Sequence, residues 1–287
     1  MGAAVTRLAA RKARKKYGTR VIYTAHGFHF FKGAPVQNWL LYYPVEQYMA
    51  RHTDALITIN KEDYDFAKRN FKADVRYVPG VGIDEKKFDL KMSDSEKRQL
   101  RNTLGLTVDD FVMIFPAEIS NRKRHIWLIN CLEDLIKKHP NIHLLLPGSD
   151  RLDGAAQLLV KNLSLSKNIH FLGFRKDIPK LLMVSDLAIS SSRQEGLPVN
   201  IMEAMFAGLP IVVSDSRGNR DLVVHGQNGY VIPIDDQAGY AAKIEDLYNN
   251  RSMRQSMGKA SKEMVEPYLM PKIMDQMIKI YRRPWRE

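Results

Sequence analysis

With one cysteine in 287 residues, Cys131, the chain has no internal disulfide framework, and a reducing, cytoplasmic compartment is the natural reading. Cys131 falls in the apolar series Ile126, Leu128, Ile129, Leu132 and Leu135, so it reads as core rather than as a reactive thiol. No apolar run reaches the roughly 20 residues that a membrane-spanning helix needs, and the basic start lacks the apolar stretch of a secretory signal. Internal repeats, low-complexity segments and a phosphate-binding P-loop are absent. Gly80-Val81-Gly82 follows Pro79 but lacks the third glycine of a dinucleotide fingerprint, which argues against a dehydrogenase. Asp63-Tyr64-Asp65 spells an acidic pair of the kind that can hold a metal. It follows Asn60 at a predicted helix start, where carboxylates favour the helix dipole, so no metal is expected there.

Acidic residues are in deficit: 32 Asp and Glu face 44 Lys and Arg, for a net charge of +12. That balance suits a phosphate-bearing partner, whether nucleic acid, nucleotide or anionic membrane surface, without choosing among them. No recognisable RNA module accompanies it, so a nucleic-acid partner is not expected. Residues 7–16, RLAARKARKK, read most plainly as the exposed face of a helix, with contact to an anionic membrane or to RNA as the alternatives. The rest of the composition is ordinary for a globular chain, at 45% hydrophobic and 26% charged, and the length suits two domains.

Short β-branched runs alternate with amphipathic stretches of helical length. Strands are predicted over 20–24, 55–59, 75–78, 111–115, 142–146, 169–172, 187–190, 211–214 and 230–232. In the 126–138 stretch, Ile126, Ile129, Leu132 and Ile136 share one helical face. Such alternation predicts an α/β fold of parallel sheets covered on both faces. Six strands follow residue 108, enough for a doubly wound domain, and three precede residue 80. The charged stretch between them holds a capped helix starting at Ser93. The expected division is therefore a partial first domain at 1–90, a second domain at 91–265 and a helical tail at 266–287 packing back on the first.

Residues 190–208, SSSRQEGLPVNIMEAMFAG, carry the most chemistry. A strand ends in serines, a loop passes through Glu195 and Gly196, and Pro198 stands at the start of a helix predicted to run to Ala207. In open α/β sheets, ligands bind at the carboxyl ends of strands, and a helix N-terminus presents free N–H groups to a phosphate. Glu195 and Glu203 flank that helix end, and a carboxylate can accept both hydrogen bonds of a vicinal diol. A sugar–diphosphate–ribose ligand fits this spacing. Spacing alone equally allows a loop charge and a solvated helix residue.

The segment 185–231, SDLAISSSRQEGLPVNIMEAMFAGLPIVVSDSRGNRDLVVHGQNGYV, resembles the donor-site signature of the family 4 retaining glycosyltransferases of the GT-B fold, with its glutamate–seven residues–glutamate motif. The resemblance implies two Rossmann-like doubly wound domains, a nucleoside diphosphate sugar as donor, most simply a UDP-sugar, and no metal or other cofactor. It implies that Glu195 contacts hydroxyls of the transferred sugar, that Glu203 holds the ribose, and that the backbone of Gly196, Leu197 and Pro198 faces the phosphates. Lys123, in FPAEISNRKRHIWLI, matches the family lysine that neutralises the diphosphate. Where many members carry a nearby arginine this chain has Glu118, leaving Arg122 and Arg124 as alternative substitutes. Gly173-Phe174 matches the turn beside the nucleobase, although Phe174 also reads as core, and Gly218 matches a loop glycine near the donor sugar.

The stretch 24–60, TAHGFHFFKGAPVQNWLLYYPVEQYMARHTDALITIN, is similar to a bacterial subfamily that assembles capsule or exopolysaccharide repeat units. That similarity implies a hexosyl transfer to a lipid-linked saccharide. It gives His26 a catalytic place facing the donor sugar, beside Lys123 and Glu195. His29 reads as packing or loop. Complete family members begin with strands that this chain does not contain, so an incomplete first domain, short by roughly 60–100 residues, is expected. A nucleotide-sugar-binding fragment without transferase activity is therefore the alternative expectation.

Overall fold

The computed structural model describes residues 2–283. In chain order the elements are α1 (Gly2–Ala9), α2 (Arg11–Tyr17), β1 (Ile22–Ala25), α3 (Val36–Ala50), β2 (Ala55–Thr58), α4 (Lys61–Asn70), β3 (Asp74–Tyr77), α5 (Glu85–Phe88), α6 (Asp94–Thr103), β4 (Phe111–Ile114), α7 (His125–Lys138), β5 (Ile142–Pro147), α8 (Ala155–Asn162) and β6 (Ile169–Gly173). There follow α9 (Ile178–Met183), β7 (Leu187–Ser190), α10 (Val199–Phe206), β8 (Ile211–Ser214), α11 (Arg217–Leu222), β9 (Gly229–Ile232), α12 (Gln237–Asn249), α13 (Arg251–Met264) and α14 (Met270–Tyr281). They form two compact units. One runs to Gly82 and resumes at Pro271; the other spans Ile83–Met270. This is the α/β class with parallel sheets that the strand–helix alternation predicts.

These divisions differ from the expected 90/91 and 265/266. Ile83 and Leu269 form a parallel bridge, with Ile83 N–H donating to Tyr268 O at 2.9 Å and Met270 N–H to Ile83 O at 2.9 Å. Residues 83–90 and 266–270 are thereby tied into the second unit. Helix α6 belongs there too. Its capping box closes through Ser93 and Glu96, and Arg101 donates to Val184 O and to Asp186, both at 3.0 Å. Of the expected 266–287 tail, residues 284–287 lie outside the described residues, and α14 places Ile273 against Ile57 and Val78 of the first unit.

The first unit has a parallel sheet in the order β1-β2-β3. Only the central strand, Ala-Leu-Ile-Thr, is buried along its whole length. Strand β1 starts two residues later than predicted. The Asp54 carboxylate accepts from Val21 N–H at 2.7 Å and Val21 O accepts from Asp54 N–H at 2.8 Å, which removes Val21 from the ladder. Phe28, Phe30 and Phe71 pack with Leu56 beneath the β1 loop.

The second unit has six parallel strands in the order β6-β5-β4-β7-β8-β9. Numbered within the unit, the order is 3-2-1-4-5-6, the doubly wound arrangement. Strands β4, β5, β7 and β8 are buried on both faces, which is why they read as unbroken apolar runs. Met113, Leu144, Ile189 and Val212 join Leu128 and Leu132 of α7 and Tyr240 of α12 in one core. Cys131 lies in that core, where burial pushes its thiol up to about 12, and its role is packing. The strand order reverses between β4 and β7, so the loops leaving those two strands stand at the switch point, where doubly wound sheets have their ligand crevice.

Candidate donor site

Two loops form that crevice, 115–124 after β4 and 191–198 after β7. Lys123 Nζ donates to Glu195 Oε1 at 2.5 Å, and both side chains are almost wholly buried. Arg122 Nη1 lies 3.4 Å from the other carboxylate oxygen and donates to Gln194 O at 3.1 Å. Main-chain and hydroxyl bonds lock the loops together: Arg193 N–H donates to Arg122 O at 3.1 Å, and Ser191 Oγ donates to Lys123 O at 2.7 Å. Asn200 Nδ2 donates to Pro116 O at 3.0 Å, which ties the start of α10 to the β4 loop. Arg122, not Arg124, is therefore the second cation at Glu195. Arg124, at φ 60°, turns away to the Ile234 carbonyl and Asp235 and lies over the Trp127 ring. Glu118 pairs with Arg151 at 3.1 Å instead of entering the crevice.

Helix α10 starts at Val199, one residue later than predicted, so Pro198 stands at its N-cap rather than in its first turn, and no side chain caps the helix. The first amides of α10 thus remain available to an anion. Leu197 is buried, so that loop offers a ligand its main chain rather than its side chains. Gly218 is a packing requirement of the same loop: a Cβ there would lie 2.5 Å from the Gly196 carbonyl oxygen. Beside it, the buried Arg217 donates from Nε to Glu195 O at 3.3 Å.

Glu203, one and a half turns into α10, lies apart from the Lys123–Glu195 pair in a second recess. It lines a 430 Å³ cavity with Lys87, Phe88, Lys176 and Lys180. Burial pushes its carboxyl up to about 7, against an opposing pull from Lys87. Gly173 ends β6 at φ 62°, and its carbonyl accepts from Gly148 N–H at 2.8 Å. Phe174 is 76% exposed, which excludes its core reading. It is not among the residues lining the Glu203 cavity; Lys176–Lys180 are.

In the first unit, His26 is exposed on the loop leaving β1, and the loop is held from below. Phe28 N–H donates to the buried Asp63 carboxylate at 3.0 Å, and Asn60 Nδ2 donates to the same oxygen at 2.8 Å. Asp63 is thus a structural carboxylate that positions the His26 loop, while Asn60 caps α4 by accepting from Asp63 N–H at 2.8 Å. His29 stacks near Tyr42, with ring centroids 4.6 Å apart. Among the described residues, no group of three or more His, Cys, Asp or Glu side chains is placed to hold a metal ion.

Sequence reasoning missed Arg217 and His125. His125 is fully buried at the first turn of α7, stacked on Phe115 at 4.9 Å, and burial lowers its pKa to about 4. It is a neutral floor beneath the basic loop. Its neighbours Arg122, Lys123 and Arg124 make it look like part of a solvated basic run, and only the strand-end position of Phe115 hints otherwise.

A switch-point crevice holding a buried lysine–glutamate pair and a free helix end is the setting in which the comparisons with known proteins are informative. The model of the family "Glycosyl transferases group 1" matches residues 96–264. The chain belongs to this family. A Bacillus subtilis protein named "Putative glycosyltransferase EpsD" is 38% identical over 98% of this chain and 74% of its own length. An Escherichia coli UDP-Gal:alpha-D-GlcNAc-diphosphoundecaprenol alpha-1,3-galactosyltransferase is 24% identical over 91% of this chain and 68% of its own. Among solved structures, Anabaena Alr3699/HepE in complex with UDP superposes with a TM-score of 0.84 at 22% identity, covering 97% of this chain and 75% of that one. That likeness concerns the fold.

Proposed function

We propose that this group 1 glycosyltransferase moves a hexosyl group from a nucleoside diphosphate sugar, with UDP as the nucleotide, to a hydroxyl of a lipid-linked saccharide. The setting is the assembly of a bacterial capsule or exopolysaccharide in the cytoplasm, at the inner face of the membrane, with retention of configuration. The observation that carries the reading is the Lys123–Glu195 pair at the switch point, beside the uncapped end of α10. In the reaction, the bond from the anomeric carbon to the diphosphate breaks and a bond to the acceptor oxygen forms. Negative charge grows on the departing diphosphate. Lys123, Arg122 and the α10 amides are the groups that would stabilise it.

Glu195 would then accept from sugar hydroxyls and Glu203 from the ribose diol, with the main chain of Gly173 and Phe174 beside the base. His26 is assigned to the sugar. The names of the relatives support the donor and acceptor classes: the Escherichia coli enzyme is named for a UDP-sugar donor and a diphosphoundecaprenol-linked acceptor, and the Anabaena structure contains UDP.

A thermal-shift panel of nucleotides and nucleotide sugars tests the donor assignment. A ligand at 100 times its Kd should stabilise the fold by about 2.7 kcal/mol. Donor binding and transfer should both collapse in Lys123→Ala and Glu203→Ala, and near-normal affinity and rate in both variants would overturn the assignment. One observation favours a second reading, nucleotide-sugar binding without turnover: the first unit's sheet has three strands among the described residues, against six in the second. Donor hydrolysis or transfer by the isolated chain excludes that reading, and binding with neither would establish it.

A further inference from the structure

The charge of this chain is unevenly placed. Residues 1–45 contain eight Lys and Arg and no Asp or Glu, and the first acid is Glu46. They therefore account for most of the net +12. Three of the eight have an acid within the first unit: Arg7 pairs with Glu46 at 2.8 Å, Arg14 with Asp54 at 2.6 Å, and Arg20 lies 4.0 Å from Asp54. The side chains of Arg11, Lys12, Lys15 and Lys16 on α2 remain exposed. Arg11, Arg14, Lys15 and Arg20 also line a 280 Å³ recess with His52 and a single acid, Asp54, just past the end of α3.

Helix α3 is the apolar counterpart. Residues 33–45 carry no charged side chain. Trp39 and Tyr43 pack inward on the aromatic core, yet Val36, Leu40, Leu41 and Val45 face outward, with Leu40 74% exposed. Val5 and Leu8 of α1 are exposed as well, and the Arg7–Glu46 pair holds α1 against α3. At the far end of α3, Tyr48 is half-exposed and touches the His52 ring, with centroids 5.1 Å apart, so the apolar face runs directly into the basic recess. Exposed leucines in a row stabilise nothing in water, and a contiguous apolar patch of this kind marks an interaction site. A basic rim beside an apolar helix face matches the layered chemistry of a bilayer surface, phosphates outside and acyl chains within. RNA would satisfy the lysines but not Leu40, Leu41 and Val45.

We propose that the face formed by α1, α2 and α3 docks on an anionic lipid bilayer. The apolar side chains of α3 and α1 enter the headgroup–acyl boundary, and the α2 cations with the Arg11–Lys15–Arg20 recess bind lipid phosphates. This deepens the membrane contact proposed above and rests on that reading for its purpose. It brings the catalytic chain to a lipid-linked acceptor without a spanning helix, and no helix among the described residues is long and apolar enough to span.

Flotation of the full chain with vesicles tests it, using phosphatidylcholine alone and phosphatidylcholine mixed with phosphatidylglycerol. Binding is expected to the mixed vesicles only, and to weaken with salt. Lys15→Glu/Lys16→Glu should weaken it by roughly 25-fold or more, since each basic residue near an anionic surface contributes about fivefold. Leu40→Asp/Leu41→Asp should abolish it. All these side chains are exposed, so both variants should melt like wild type and keep the same UDP-induced thermal shift. A normal UDP shift with no binding to mixed vesicles overturns the docking face and leaves the donor assignment standing. Wild-type binding by the leucine variant, with homopolymer RNA competing for the lysines, also overturns it. So does a dimer in sedimentation velocity that Leu40→Asp dissociates, because a second copy would then cover the face.

Discussion

Replacing Glu203 with glutamine tests the proposed donor recess through a single ionisable group. Burial holds the Glu203 carboxyl at about 7, against an ordinary value of 4.5. Between those values the folded state keeps a proton that the unfolded chain has lost. Its contribution to stability is therefore complete below about 4.5 and is lost as pH rises through about 7. A tenfold change in proton affinity is worth about 1.36 kcal/mol, so the full loss is about 3 kcal/mol at most. The side chain is only half-buried, and solvent screening reduces the figure to about 2 kcal/mol. Glutamine cannot ionise. The stability difference, Glu203→Gln minus wild type, should grow by that amount from pH 5 to pH 8 and then level off. For a domain of this size the gain corresponds to roughly 4–8 °C in Tm. Thermal or urea unfolding of both proteins across that range measures it, and the difference curve cancels every other titrating group. Donor affinity adds a second readout of opposite sign. An ionised carboxylate is the better acceptor for a ribose diol, so wild-type affinity for a UDP-sugar should rise as pH passes 7 and the variant's should stay low and flat. Parallel stability curves would refute the burial argument, and wild-type affinity in the glutamine variant would refute the ribose assignment.

Lys123→Met should destabilise the second unit by about 3 kcal/mol, because it leaves the buried Glu195 with only Arg122 at 3.4 Å. The double variant Lys123→Met/Glu195→Gln should recover most of that loss in urea unfolding; simple additivity would refute the coupling. In Gly218→Ala, a methyl 2.5 Å from the Gly196 carbonyl must push the donor loop, costing about 1–3 kcal/mol and weakening UDP binding in calorimetry. Unchanged affinity would show that the loop yields freely. Ser93→Ala should cost about 1 kcal/mol by opening the α6 capping box, with no effect on nucleotide affinity.

The second unit is largely legible in the sequence because its signals are local. The four doubly buried strands show as continuous apolar runs, and the reversal between β4 and β7 places their trailing loops together. Ser93 with Glu96 marks a helix start by hydrogen bonds that span three residues. What escapes depends on distant partners. Whether Arg122 or Arg124 approaches Glu195 turns on the left-handed φ at Arg124, which no propensity favours for arginine. Phe174 reads as core by residue type, yet the sheet's edge gives it nothing to pack on. Asp63 resembles half of an acidic metal pair, and its work is to hold Phe28 N–H 35 residues earlier in the chain. The unit boundary falls away from the charged stretch because Ile83 pairs with Leu269 across the whole second unit, a contact with no local trace.

The Lys123–Glu195 contact bears on which ligands the crevice can accept. Each charged group already has a partner, so a ligand gains only by replacing both halves of the pair. Phosphate alone would satisfy Lys123 and leave a buried carboxylate with Arg122 at 3.4 Å as its remaining cation, which costs more than at an exposed site because burial removes hydration. A sugar alone would satisfy Glu195 and strand the lysine. A sugar diphosphate supplies an anion and hydroxyl donors at once, on one molecule, and the two exchanges then offset each other. Arg122 keeps one carboxylate oxygen oriented while the other is released. Arg217 fixes the Glu195 main chain, so the side chain can change partners without the loop moving. On the proposed donor assignment, selectivity for an intact donor over its separate parts follows from the pairing of two residues 72 positions apart, each satisfying the other until a ligand can satisfy both.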